Sequence, residues 1–333
     1  MGERHALPEV AAVTGGTGFI GAHVVRLLVE AGVKVRVLAL DSDKAELLEG
    51  LDVEIVRGDL ETGQGFDELL DGVEGLFHLA AIYALYLKDP DLMFRVNVEG
   101  TRKLLEAAKE HAVKRVVYTS SIAAVGSRVG RTPADESCIF DPAGIDEVYV
   151  LSKAESERVA LAAAEDLDLV AVNPSFPVGP GDINPTPTGR LVHDVARGRL
   201  PVRISGGLNL VDVRDVAQGH LLAYERGRRG ERYLLSGTNM TLDDFMERTC
   251  AVVGRSAPRL RLPDAAVHGA AACLGAAARL TGISPMLTPA SARYTVGKYL
   301  FFNNQKAREE LGFTCRAPEE TLRDAISWFT ERN

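Results

Sequence analysis

The sequence predicts an α/β fold, a doubly wound parallel sheet with helices on both faces, joined to a smaller, mostly helical C-terminal part. Two observations carry this. Apolar strand-like runs alternate with 3.6-periodic runs up to about residue 175, and a glycine-rich turn lies between the first strand and the first helix. After residue 175 the alternation gives way to a proline-rich stretch and then to helical periodicity.

Residues 10–13 form an apolar run that reads as a buried strand. Gly15, Gly18 and Gly21 follow at G-x-x-G-x-x-G spacing. Val24, Val25, Leu27, Leu28 and Ala31 then recur at helical spacing until Gly32. Gly15 suits a tight strand-to-helix turn, Gly18 a close approach of the backbone to a diphosphate, and Gly21 a close helix–strand contact. Unpaired N–H groups in the helix's first turn would face the pyrophosphate. Strand, turn and helix at these offsets predict a Rossmann-type dinucleotide site.

Residues 33–40 predict a second strand, 44–49 a short helix after Asp41-Ser42-Asp43, and 53–56 a third strand. A helix over 66–70, a fourth strand over 75–81 and a long helix over about 92–110 come next. A fifth strand over 115–119, a helix over 149–165 and a sixth strand over 169–173 complete the alternation, which implies a parallel sheet. Residues 174–190 read as a loop-rich excursion. Residues 211–213 and 232–236, with a helix over 215–224 between them, read as returns to the sheet. The expected division gives 1–175 with about 205–237 to dinucleotide binding, and about 176–204 with 238–333 to the substrate.

Composition narrows the function. A net charge of −8 over 333 residues leaves no electrostatic footprint for nucleic acid. Cys138, Cys250, Cys273 and Cys315 stand far apart without a C-x-x-C pair, which fits a reducing cytoplasm and implies no metal site. The N-terminus has no apolar leader, so a cytoplasmic location is expected. The alanine-rich run 265–278 is shorter than the ~20 residues a bilayer span requires. It reads as ordinary core, with an apolar lid or a surface touching the inner face of the membrane as alternatives. A homodimer is left open.

Tyr149 and Lys153 stand four residues apart and so share one helix face. An ammonium beside the phenol would favour phenolate and lower the tyrosine pKa from about 10. Thr119-Ser120-Ser121 ends the fifth strand, at the sheet edge where open α/β folds take ligands.

Several motifs in this order resemble the extended short-chain dehydrogenase/reductases: TGGTGFIG at 14–21, Asp59 after the third strand, HLAA at 78–81, and Asn97 in NVEGT. YTSS at 118–121, Y-x-x-x-K at 149–153 and PSFPVGP at 174–180 complete the resemblance, which covers nearly the whole chain. It implies Tyr149 as acid/base, Lys153 as its activator and nicotinamide-ribose ligand, Ser121 on the substrate oxygen, and Asn97 in a proton relay. Thr17, Phe19 and Ile20 would join the three glycines and Ala80 around the cofactor, Asp59 and Leu60 would contact adenine, and the Pro174 to Val178 backbone would hold the carboxamide. A plain helix-backbone bond is the alternative for Asn97, and His78 reads as core.

The second half is similar to hopanoid-associated epimerase-like and dihydroflavonol-reductase-like members in INPTPTGR, LNLVDVRDVAQGH, GERYLLSG and LFFNNQKAREELGF. Nucleotide-sugar members carry a diphosphate-binding arginine where Leu208 stands, and R-P-G-D in the region of residues 297–302. Both are absent here, and a buried diphosphate without such partners is costly. The apolar loop 81–87, with Tyr83 and Tyr86, and Phe176 point to a hydrophobic substrate; the cluster Arg190, Arg197, Arg199, Arg203 and Arg214 argues the other way. Leu40, where NADP-dependent members often place arginine, and Asp41 after it favour NAD over NADP, with Arg36 and Lys44 as candidate phosphate ligands otherwise. The expected activity is NAD(P)-dependent interconversion of a ketone and a secondary alcohol on a lipid-like substrate, such as a keto-lipid of the ketoceramide type or a sterol-like ketone. A nucleotide-sugar epimerase or dehydratase using the same triad is the alternative, and a cofactor-bound sensor without catalysis is a third.

Overall fold

The computed structural model describes residues 4–84, 87, 89–281 and 287–332, with backbone alone over 278–281. Its first half runs β1 (Val10–Thr14), α1 (Phe19–Glu30), β2 (Lys34–Ala39), β3 (Val53–Arg57), α2 (Phe66–Leu70) and β4 (Gly75–His78). There follow α3 (Asp91–Phe94), α4 (Thr101–Glu110), β5 (Arg115–Thr119), α5 (Val148–Ala163) and β6 (Leu169–Pro174). The second half runs β7 (Phe176–Val178), α6 (Pro187–Ala196), β8 (Gly207–Asp212), α7 (Val213–Arg226), β9 (Arg232–Leu235) and β10 (Thr238–Thr241). It ends with α8 (Leu242–Val252), α9 (Asp264–Thr281), α10 (Pro289–Thr295) and α11 (Pro318–Glu331).

Seven parallel strands form one sheet in the order β3-β2-β1-β4-β5-β6-β9. Its strands are near-continuous apolar runs because both faces are covered. Ala11 and Val13 pack beneath α1 and α7, among Val24, Val25, Leu28, Val216 and Ala217. Ala12 faces the opposite core with Leu69, Leu104, Leu105 and Ala160. The strand order reverses between β1 and β4, and the crevice beyond their carboxyl ends is where such a sheet takes a ligand.

Several boundaries differ from expectation, for local reasons. Residues 44–49 yield only a 3-10 turn, Glu46–Leu48, and the fourth strand stops at His78. The long helix forms, but Arg95–Gly100 between α3 and α4 is a π-turn. Such turns insert one residue and are frequent at functional sites; here the insertion contains Asn97. β8 does not return to the parallel sheet. It pairs with β7 (parallel) and β10 (antiparallel) in a separate three-stranded sheet, so the 174–190 stretch contains a strand and the start of α6. α9 is not ordinary core: Val267 and Ala271 are buried against Ala292 and Val296, while Leu274 is 46% exposed. Among the described residues no helix is long and apolar enough to cross a membrane.

Two glycines of the first turn meet hard limits. Gly15 has φ +70°, and a Cβ there would stand 2.7 Å from the Ala80 nitrogen. At Gly21 a Cβ would lie 2.0 Å from the Gly15 carbonyl oxygen, so the helix could not keep its place over the turn. Gly21→Ala is therefore expected to lower stability by about 1–3 kcal/mol, the usual cost of overpacking, and to weaken cofactor binding. Thermal melting and NADH titration check this; unchanged values for both would show that α1 tolerates a shift.

Candidate active site

The glycine turn presents an anion cradle. The Gly18 N–H donates to the Gly15 carbonyl (3.0 Å), and α1 starts at Phe19 with no side chain capping it, which leaves first-turn N–H groups open. Ile20 packs on the core beneath, and Phe19 meets the His23 ring edge-on. Thr17 donates its hydroxyl to Asp43 (3.2 Å), and the Leu40 N–H donates to the same carboxylate oxygen. Asp43, rather than the exposed Asp41, is thus held against the turn. Arg36 is not available to a phosphate: it pairs with Glu54 and donates to the Glu68 and Asp71 carbonyls. Lys44 is exposed. Asp59 folds back to accept the Glu61 N–H (2.8 Å), and Leu60 is buried beneath α2 and α4.

His78 is fully buried and joins three elements. Thr101 at the start of α4 donates its single hydroxyl proton to the Asn97 carbonyl (2.7 Å), so it must accept from His78 Nε2 (2.9 Å). His78 Nδ1 then accepts from the Thr14 hydroxyl (2.7 Å), which itself accepts the Ala80 N–H (3.2 Å). Proton balance therefore assigns the neutral Nε2–H tautomer. Burial, assisted by the Lys153 charge, pushes the ring's pKa down to about 3. The Asn97 amide holds the Ile82 N–H (2.7 Å) and carbonyl (3.1 Å) and donates to Ser152 (3.1 Å), which donates to the Tyr149 carbonyl. Asn97 thus ties the loop after β4 to the turn of α5 that carries Tyr149.

The inner face of α5 is polar. Ser152, Lys153, Ser156 and Glu157 are all buried there, one helical turn or two beyond Tyr149. Lys153 Nζ donates to the Thr119 carbonyl (2.8 Å) and to the Tyr118 hydroxyl (3.3 Å), which places the ammonium at the carboxyl end of β5. Burial brings Lys153 down to about 8, against the opposing charge of Glu157. Glu157 is held by Arg232 (2.8 Å) and by Asn173, whose amide also donates to the Ser121 carbonyl. The lowered phenol expected at Tyr149 is not found. Burial pushes it up to about 12, and the Ser121 hydroxyl is the group that pulls it down. Ser121 and Tyr149 are therefore brought together, with the phenol kept protonated, while the Lys153 ammonium is held on Thr119 and Tyr118 at the end of β5. His220, which the motif pattern did not single out, accepts the Thr119 hydroxyl (2.8 Å) from behind and fixes that strand end.

Around Tyr149 stand Tyr83, which the sequence reading named, and Tyr294 and Glu147, which it missed. Tyr83 packs on Tyr149 with ring centroids 4.6 Å apart, and Tyr294 of α10 and Glu147 lie within electrostatic reach. Tyr86 lies outside the described residues. Phe176 bridges two apolar clusters, and Val178 is buried. Leu208 does not line a site; it is 4% exposed and packs with Leu210, Met240 and Phe245 in the core of the second unit. Of the five arginines, Arg199 pairs with Asp194, Arg203 with Glu247 and Asp243, and Arg214 with Asp212 and Asp324. Arg190 and Arg197 are exposed. Among the described residues no cluster of three metal-ligating side chains is present.

Residues 11–236 match the model of the NAD dependent epimerase/dehydratase family. A putative dihydroflavonol 4-reductase of Synechocystis is 39% identical over 97% of this chain and 95% of its own. Sterol demethylase protein B of Methylococcus capsulatus is 36% identical over 96% and 98%. A ketoreductase of Stigmatella aurantiaca that acts on a 4-farnesyl-3-oxo-dihydroquinoline-1-oxide is 31% identical over 94% of both chains. Among solved structures, a nucleoside-diphosphate-sugar epimerase from Pseudomonas aeruginosa superposes with a TM-score of 0.80 at 28% identity, over 97% and 98%.

The ionisation of the triad fixes a pH signature. Lys153, lowered to about 8, carries its charge below that pH and loses it above, while Tyr149 stays a donor up to about 12. Reductive kcat/KM should be flat between pH 6 and 7 and fall through about 8 as the ammonium that would stabilise the emerging phenolate is lost. Tyr149→Phe should lower turnover by roughly 10²–10⁴-fold with NADH affinity largely kept. A profile flat to pH 10, or a phenylalanine variant with near-normal turnover, contradicts these roles.

Proposed function

The chain belongs to the NAD-dependent epimerase/dehydratase family, the extended short-chain dehydrogenase/reductases, and from that premise we propose that it interconverts a ketone and a secondary alcohol on a hydrophobic substrate. The glycine cradle suits a dinucleotide diphosphate, because a Cβ at Gly15 or Gly21 would fill it. When bound, the nicotinamide cofactor supplies or takes up the hydride. Ser121 positions the substrate oxygen, Tyr149 gives that oxygen its proton, and the Lys153 ammonium stabilises the phenolate left behind. Asn97 and Ser152 keep Tyr149's turn in place. The parallel-sheet unit, on this reading, holds the cofactor, while the β7–β8–β10 sheet with α6 and the helices from α8 onward covers the substrate.

The observation that carries the choice of a hydrophobic substrate is the pairing of the arginines. Arg199, Arg203 and Arg214 are each held by carboxylates, so they are poor partners for a sugar diphosphate. A farnesyl-bearing ketone in one relative's name and a sterol demethylase in another's support the same reading. The epimerase reading keeps the family name and the Pseudomonas structure in its favour. Assays of NADH oxidation with long-chain and polycyclic ketones, beside UDP-hexose isomerisation, separate the two. Turnover of the ketones alone is expected; sugar isomerisation with no ketone reduced would replace this reading.

NAD is the preferred dinucleotide on this account, because a 2′-phosphate would meet the Asp43 carboxylate that Thr17 holds at the turn. NADH should bind more tightly than NADPH, and Asp43→Asn should narrow the gap by about tenfold, the order expected of one charged contact at about 1.4 kcal/mol. A wild-type preference for NADPH in fluorescence titration contradicts the assignment.

A further inference from the structure

Tyr118, the first residue of the YTSS motif, is 1% exposed, so it can meet neither substrate nor cofactor. Its ring lies in the apolar cluster of Leu104, Leu105 and Ala160. Phenylalanine would fill the same space with no polar atom to bury, so the hydroxyl there calls for a polar partner.

Three hydrogen bonds close a ring through that hydroxyl. Lys153 Nζ meets the Tyr118 oxygen at 3.3 Å, the Tyr118 and Ser156 hydroxyls meet at 2.6 Å, and Ser156 meets the Lys153 carbonyl at 3.2 Å. Proton count gives each bond its direction. The ammonium can only donate and the carbonyl can only accept, so Lys153 donates to Tyr118 and Ser156 donates to the Lys153 carbonyl. Ser156 has then spent its one proton and must accept from Tyr118. The phenol proton therefore points away from Lys153, and an oxygen lone pair faces the ammonium. Without Ser156 the phenol could turn and donate to a neutral amine, which favours loss of the charge.

We propose that Tyr118 and Ser156 are positioning residues for Lys153: Ser156 orients the Tyr118 hydroxyl as an acceptor, and this anchors the ammonium in its charged form at the end of β5. The effect on turnover rests on the ketone–alcohol reading above. Thr119 supplies the second acceptor at 2.8 Å. Among the described residues the ammonium thus has two acceptors, which leaves the last of its three protons for the crevice. Burial draws Lys153 down to about 8, and the Tyr118 oxygen acts against that loss of charge. The other groups facing Lys153 hold their charge through this range. Glu157 of α5 is an ion pair with Arg232, burial keeps His78 of β4 neutral, and burial keeps the Tyr118 and Tyr149 phenols protonated.

The test titrates Lys153 itself. Its Cε resonance, followed by NMR in protein grown with isotope-labelled lysine and assigned by its absence in Lys153→Met, reports the charge without any substrate. Tyr118→Phe deletes the hydroxyl while keeping the ring, whose centroid lies 5.1 Å from Nζ, and Ser156→Ala frees the phenol proton. Thermal melts show which variants are folded, and either one alone is decisive. Each should lower the Lys153 midpoint by about one pH unit, the order expected when a hydrogen bond to a charge is lost. For reduction of a long-chain ketone, the loss of kcat/KM relative to wild type should grow from pH 6 to pH 9 and reach about tenfold. A midpoint unmoved in the folded variants, or a loss equal at every pH, would overturn the proposal and leave Tyr118 as packing. If the midpoint moves but the wild type reduces no hydrophobic ketone, the positioning of Lys153 stands and the reductase reading fails.

Discussion

A single directed chain of hydrogen bonds holds the site in register. It starts at the Ala80 N–H, passes through Thr14, His78 and Thr101, and ends on the Asn97 carbonyl; the Asn97 amide then reaches Ser152 and, through it, the carbonyl of Tyr149. Each hydroxyl in it donates once and accepts once, so reversing one link would leave a buried group unpaired. The glycine turn at one end and the helix that carries Tyr149 at the other are thereby fixed to each other across the β1–β4 crevice. The neutral ring of His78 is required for this, and its full burial keeps it neutral.

The second constraint is electrostatic. α5 turns a polar stripe inward, which a helix in an ordinary core would not do, and the buried ions on it need partners. Lys153 is held by Thr119 and Tyr118, with Glu157 one turn further along, and Glu157 is held by Arg232 and Asn173. Because Asn173 also grips the Ser121 carbonyl, the end of β5, the end of β6 and α5 share one network. Packing and chemistry are thus coupled: the same bonds that satisfy buried charge hold Lys153 and the Ser121 backbone at the end of β5.

Much of this was legible in the sequence, and the rest was not, for physical reasons. Local patterns carried the parallel sheet, since buried strands such as 169–172 are unbroken apolar runs and the glycine turn has few conformational solutions. Tyr149 and Lys153 were visible as an i, i+4 pair, and the polar positions Ser152, Ser156 and Glu157 repeat the same period, a signal that could have shown the inward polar face. Long-range pairing was not legible. β8 reads as a buried strand in either sheet, and only its partners, β7 and β10, decide between them. Leu208 reads as standing in place of a diphosphate-binding arginine, yet its side chain belongs to the core. Asp43, His220, Tyr294 and Glu147 reach the site through the fold alone, from positions where a lone polar residue carries no pattern.

The claim on which this account turns is that hydride leaves the cofactor for good and ends on a hydrophobic substrate. Incubation of the enzyme with NADH deuterated at both C4 positions and a long-chain ketone, followed by mass analysis of products and cofactor, measures this directly. The account predicts one deuterium on the new carbinol carbon and one NAD⁺ formed for each alcohol. An isomerised nucleotide sugar produced without net oxidation of NADH, and no label in any alcohol, would contradict it.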